Sequence, residues 1–194
     1  MDMIWTRGKG IGRLLLALAL LVGLISQPVR PALAATASAA TCAAPTGVTT
    51  GGYPQAVLAD NPLGYWRLDE TCGGTVYDSS GNGLSGQING GVTTGQSGAP
   101  VGDGDPAMGF DGSTGSISLG DPAALQPAQV SVEAWINTTV AGGIIVRKRL
   151  FGYALALNGS GQPTFTITDA HTAVYDATGS TAVTDGRWHH LVGT

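Results

Sequence analysis

The residues best suited to holding an ion lie in one turn-rich loop, and they carry oxygen-bearing side chains at alternate positions. Asp78, Ser80 and Asn82 supply these oxygens, and Gly83 follows them. Calcium is bound by roughly six to eight oxygen atoms from carboxylates, amides, carbonyls and water. The spacing therefore predicts a calcium site built on this loop.

Further oxygen donors for that site must come from elsewhere in the chain. Glu70 and Asp111 are the candidates if the fold brings them close. The loop is not a complete EF-hand, because Asn89 stands where that motif requires a bidentate Glu. The alternative to calcium is a polar turn whose Asp and Asn side chains bond to their own backbone.

A second candidate site lies on the most regular strand of the sequence, residues 130–137. Side chains alternate between the two faces of a strand, so Val130, Val132, Ala134 and Ile136 share one face. Trp135 and Glu133 lie on the opposite face. An aromatic ring beside polar groups is typical of sugar-binding surfaces, so both are candidate ligand-binding residues, with simple packing of Trp135 as the alternative.

Catalytic residues are not predicted. Glycoside cleavage requires two carboxylates across the scissile bond, and the neighbours of Glu133 on its face are Ser131 and Trp135. Asp69 and Glu70 are adjacent and diverge in a strand. We therefore predict a non-enzymatic segment, with a catalytic domain elsewhere in a longer parent left open.

The chain begins with the features of an exported protein. Arg7, Lys9 and Arg13 precede the apolar run 14–25, and small residues end in Ala32-Leu33-Ala34. This order predicts a secretory signal peptide over 1–34, with a membrane anchor as the alternative. Residues 35–52, rich in Ala, Thr and Gly, are predicted to be a flexible linker, and 53–194 one domain.

The net charge of the chain limits the classes of partner that it can bind. Removing residues 1–34 takes four of the nine basic residues and one of the thirteen acidic ones, which leaves a net charge of -7. Such a field repels phosphate backbones, so nucleic acid is not expected. No segment after residue 34 is apolar for long enough to span a membrane. We expect a secreted or cell-surface protein whose partner is a glycan or an extracellular protein.

The two cysteines are Cys42 and Cys72. An exported chain with an even number of cysteines favours a disulfide between them. A lipid-anchored Cys42 is the alternative.

Short apolar segments separated by Gly and Asn turns predict an all-β fold. Besides 130–137, strands are expected at 65–68, 143–149, 153–158, 164–168 and 189–192, and helical turns only at 55–59 and 122–125.

Five short motifs in order resemble the laminin-G-like domains of the concanavalin A-like lectin and glucanase superfamily. They are Tyr65-Trp66-Arg67-Leu68-Asp69-Glu70, Asp78-Ser79-Ser80-Gly81-Asn82-Gly83, Phe110-Asp111-Gly112, Ser131-Val132-Glu133-Ala134-Trp135-Ile136 and Gly186-Arg187-Trp188-His189-His190-Leu191. The resemblance implies an antiparallel β-sandwich of the jelly-roll type, often with a structural calcium. Such domains continue past the Trp-His strand, so the domain is expected to be truncated at its C-terminus.

These observations predict a secreted module for carbohydrate or other extracellular-ligand recognition or adhesion. Two alternatives stay open: a fragment of an extracellular glycoside hydrolase, and a ligand-free spacer domain of a cell-surface protein.

Overall fold

The strand predicted most clearly from sequence forms as Val132–Asn137, and it pairs antiparallel with Trp188–Gly193 at the end of the chain. Its alternation explains why it forms, because the aliphatic face is partly buried against the core while the polar face is turned outward. Val132, Ala134 and Ile136 pack against the main hydrophobic core, as the sequence predicts.

The computed structural model describes residues 2–4, 42, 52–100, 104–148 and 152–194. In chain order its elements are β1 (Asp2–Ile4), α1 (Tyr53–Ala59), β2 (Thr75–Val76), β3 (Gly86–Asn89), β4 (Val92–Gln96), β5 (Ala107–Phe110), β6 (Ser116–Ser118), a 3-10 turn (Ala123–Leu125), β7 (Val132–Asn137), β8 (Gly143–Arg147), β9 (Tyr153–Leu157), β10 (Pro163–Thr168), β11 (Val174–Thr178) and β12 (Trp188–Gly193).

The strands form one large antiparallel sheet and two strand pairs. The large sheet has the order β11-β10-β9-β8-β1-β6-β3-β2, and the pairs are β12-β7 and β4-β5. The fold class is therefore the all-β sandwich expected from the sequence. Strand β11 lies at the edge of the large sheet, and all five of its residues are exposed.

The main core lies between the β7-β12 pair and strands β8 to β10. Leu155, which is 1% exposed, is its most buried member. Residue 193 of β12 is glycine, and Phe165 of β10 fills the space that a side chain would need there. A Cβ added at Gly193 would stand 2.3 Å from the Phe165 ring. The two layers thus meet at close range.

A second, smaller core contains Val76, Met108 and Ile117, and Trp66 packs against both clusters. The Trp66 indole Nε1 donates to the Leu84 carbonyl oxygen at 2.7 Å. Residue 64 is glycine because a Cβ there would stand 2.3 Å from the Trp66 ring. Trp66 is therefore a structural residue that joins the two cores.

The predicted strand at 65–68 is wrong, since no ladder pairs these residues. The Tyr65 N–H donates to a side chain, Asp78 Oδ1, at 3.0 Å. Leu68 has a φ of 59°, which a regular strand does not allow. The segment follows an irregular path that places Trp66 in the core. Strands β1 to β6 and β11 were not predicted.

Cys42 and Cys72 form a disulfide with their Cα atoms 5.7 Å apart. Of the predicted signal peptide 1–34, only Asp2–Ile4 is described, as a strand paired with β6 and β8. The remainder of that segment and the linker 35–52, apart from Cys42 and Gly52, lie outside the described residues. No helix in the described part of the chain is long and apolar enough to cross a membrane.

Candidate ligand-binding site

The outward side of the β7-β12 pair carries three cross-strand pairs of side chains, which we call the outer face. The register places Glu133 opposite Val192, Trp135 opposite His190 and Asn137 opposite Trp188. Glu133, Asn137, His190 and Val192 are exposed, and both indole rings are half-buried. Aromatic, amide and carboxylate groups therefore share one accessible surface.

The middle pair of the outer face is a packed aromatic cluster. The rings of Trp135 and His190 stack with centroids 5.0 Å apart and planes inclined by 22°. Tyr53 of α1 meets Trp135 edge-on at a centroid distance of 6.2 Å. These contacts cover much of Trp135, so its indole packs α1 against the β7-β12 pair.

Glu133 lies at one end of the outer face. Its Oε2 stands 3.3 Å from His190 Nε2, and both side chains are substantially exposed. An exposed pair of this kind contributes little to stability, and the carboxylate stays accessible to a ligand from solvent.

At the other end, Trp188 and Asn137 open into a cleft with a volume of about 330 Å³. The far wall is the β4-β5 hairpin. The lining includes Gln96, Ser97, Met108, Gly109, Asn137 and Trp188. Gly109 leaves room for the hairpin side chains, because a Cβ there would stand 2.7 Å from Thr93 Oγ1. The cleft combines an indole ring with two amides and a hydroxyl.

Trp188 belongs to neither core cluster. The signal for its position was present in the sequence. Leu191 is buried, and a strand residue three positions earlier faces the opposite side. Because side chains alternate along β12, Trp188 lies on the face opposite Leu191, which is the outer face.

The predicted calcium loop is organised by backbone hydrogen bonds. Asp78 Oδ1 accepts from the N–H groups of Tyr65 and Ser80, and Oδ2 accepts from that of Leu84. Burial disfavours its charged form, but the hydrogen bonds outweigh burial and lower the pKa of Asp78. Asn82 donates through Nδ2 to the carbonyl oxygens of Pro62 and Leu63.

Asp111 organises a separate turn. Its Oδ1 accepts from the N–H groups of Ser113, Thr114 and Gly115 at 2.8 to 2.9 Å. Its Oδ2 accepts from the hydroxyls of Ser113 and Thr114. These donors hold the pKa of Asp111 far below its ordinary value.

Glu70 is the most enclosed of the predicted donors. It is 4% exposed, and its Oε1 accepts from the Tyr77 N–H at 2.7 Å. Its Oε2 is buried with no hydrogen-bond partner among the described residues. Burial raises the pKa of Glu70, and the Tyr77 N–H offsets part of that effect.

The three predicted carboxylates, Glu70, Asp78 and Asp111, do not come together as ligands of one ion. Among residues 52–100, 104–148 and 152–194, no three Asp, Glu, His or Cys side chains are arranged to hold a metal ion. The oxygens of Asp78 and Asp111 are occupied by protein donors. Calcium binding stays a prediction, and the function proposed below does not use it.

Replacing Glu70 by Gln is expected to raise the melting temperature at pH 7 by about 2 °C, because it removes a buried charge. A raised pKa means that the wild type loses stability as the pH rises above the ordinary value of 4.5. The advantage of the variant should therefore disappear below that pH. Thermal unfolding between pH 3 and 8 measures this, with exposed Glu133→Gln as the control. An equal effect of both substitutions would contradict the assignment.

Comparison with known families agrees with this architecture. Residues 111–194 match a laminin G family model described as the concanavalin A-like lectin/glucanases superfamily. The match covers β6 to β12 and includes both strands of the outer face. The resemblance drawn from the sequence motifs is thereby confirmed over residues 111–194. Members of this superfamily include binding modules of the lectin type, which is the general class that the fold defines.

No curated protein matches the chain, and no solved structure does.

Proposed function

We propose that the protein is an extracellular, non-enzymatic recognition module that binds carbohydrate through the outer face of β7 and β12. One observation carries the proposal. Asn137 and Trp188 stand side by side on an accessible sheet surface and open into a cleft that is lined by further amide and hydroxyl groups. Apolar rings with a few placed polar groups are the usual composition of sugar-binding sites.

Export is supported by the order of basic, apolar and small residues in 1–34. The Cys42–Cys72 disulfide is also in keeping with an oxidising compartment. Glycans and matrix polymers are the ligands available there.

A binding role is favoured over hydrolysis by the surroundings of Glu133. Its neighbours on the outer face are Trp135, His190 and Val192. A glycosidase needs a second carboxylate roughly 5 to 10 Å from the first, and none of these residues supplies it. The outer face is therefore suited to holding a sugar chain without cleaving it.

Binding of the full-length protein to a glycan microarray and to immobilised polysaccharides tests the proposal. We expect retention on at least one polysaccharide, with no release of reducing sugar from it. Retention on no glycan, together with capture of an extracellular protein, would replace carbohydrate with a protein ligand. Release of reducing ends by the pure protein would instead support the hydrolase alternative.

A further inference from the structure

We propose that the cleft between β12 and the β4-β5 hairpin is the subsite that seats one ring of an uncharged glycan. This inference rests on the carbohydrate-binding function proposed above and locates it at one end of the outer face. Trp188, Asn137, Gln96 and Ser97 are the residues assigned to it.

Trp188 provides the apolar wall. Its ring is half-buried, and it lines the open cleft rather than either core. A pyranose presents a face of C–H groups that packs on an aromatic ring. Trp135 is less suited to this role, because His190 and Tyr53 already contact its ring.

The polar groups of the cleft are available to sugar hydroxyls. Asn137 and Ser97 are exposed, and neither side chain forms a hydrogen bond with the described residues. Gln96 donates through Nε2 to the Thr94 carbonyl oxygen at 3.3 Å. That bond fixes the amide and leaves Oε1 to accept from a ligand. Amides and hydroxyls both donate and accept, which matches the hydroxyl groups of a sugar.

The charge of the cleft selects the glycan class. None of its seven lining residues is ionisable. The chain as a whole has a net charge of -4, so an acidic glycan meets repulsion and finds no cation in the cleft. An uncharged glycan incurs neither cost, because hydroxyl groups exchange water for amides of similar hydrogen-bonding strength.

The experiment compares four versions of the whole chain: wild type, Trp188→Ala, Asn137→Asp and Val174→Ala. Each is titrated calorimetrically with soluble neutral polysaccharides (laminarin, xyloglucan and galactomannan) and with polygalacturonate and alginate as acidic ones. Asn137→Asp keeps the shape of an exposed side chain, so it tests the site even if Trp188→Ala folds poorly. Val174→Ala lies on the edge strand β11, outside the outer face, and is 58% exposed.

We expect the wild type to bind a neutral polysaccharide, and Trp188→Ala and Asn137→Asp each to bind it at least about tenfold more weakly. Val174→Ala should stay within about twofold of the wild type. If the Trp188 and Asn137 variants bound as tightly as the wild type, the cleft would not be the binding site. The proposed function would then still stand. Preference for the acidic polysaccharides would overturn the ligand class. Binding to none of the five would overturn the proposed subsite, and the glycan microarray would then decide the proposed function separately.

Discussion

Replacing Asp78 by alanine is expected to lower the free energy of unfolding by about 3 kcal/mol in calcium-free buffer. The carboxylate accepts three backbone N–H groups, from Tyr65, Ser80 and Leu84, and the substitution leaves all three without that acceptor. Each bond to a charged group contributes about 1 kcal/mol or more. Urea denaturation followed by tryptophan fluorescence measures the change.

Ser79→Ala is the matched control from the same loop. The Ser79 N–H donates to the Tyr65 carbonyl oxygen, a backbone bond that alanine keeps, so the loss should be within about 0.5 kcal/mol. Equal stability of Asp78→Ala and wild type would contradict the structural role. If the wild type in addition gained stability with calcium and Asp78→Ala did not, the carboxylate would be assigned to a metal instead.

The stability that Asp78→Ala loses relative to the wild type depends on pH in a defined direction. Because the pKa of Asp78 is lowered by folding, its contribution is complete above the ordinary value of 3.8. That contribution is lost as the pH falls through the folded-state pKa. Wild type and variant should therefore converge in stability at the acidic end of a titration below pH 3.8.

Replacing Leu155 by alanine is expected to cost about 3 to 4 kcal/mol, because the side chain is 1% exposed at the centre of the main core. The lost contacts lie between β9 and its neighbours, and the cavity cannot close without moving both layers. Val174→Ala also truncates an apolar side chain, but it is 58% exposed on the edge strand β11. That control should change stability by less than about 0.5 kcal/mol. Comparable losses in the two variants would contradict the two-layer core.

Alternation was sufficient to predict the strand that forms the outer face. Val132, Ala134 and Ile136 face the core as expected, since a one-residue shift would expose all three. The same reasoning predicted β8, β9 and β10 to within a few residues.

The first half of the domain was harder to predict, because its strands are short and rich in Gly and polar residues. Strand β4, Val92–Gln96, contains one large apolar residue and lies on no clear period. Residues 65–68 were predicted to form a strand, but the structure has none there. Their aromatic and aliphatic residues suggested a strand, but Leu68 adopts a left-handed conformation and Tyr65 bonds to a side chain.

The candidate site depended on contacts that no local pattern contains. Trp135 and Glu133 were found because they share a face of one strand. The cleft at Trp188 also needs β4 and β5, which are distant in sequence and were not predicted. The oxygen-rich loop was recognised correctly as a turn, but which atoms occupy its carboxylate follows only from the path of Tyr65 and Leu84.

The most direct measurement is a ¹⁵N–¹H NMR titration of the tryptophan indole resonances with a neutral polysaccharide that the protein binds. The sequence has four tryptophans, and Trp66 serves as an internal reference because its Nε1 is bonded to the Leu84 carbonyl oxygen. We predict that the Trp188 resonance shifts in proportion to saturation while that of Trp66 does not move. A saturated complex in which the Trp188 resonance stays in place would contradict recognition at the cleft.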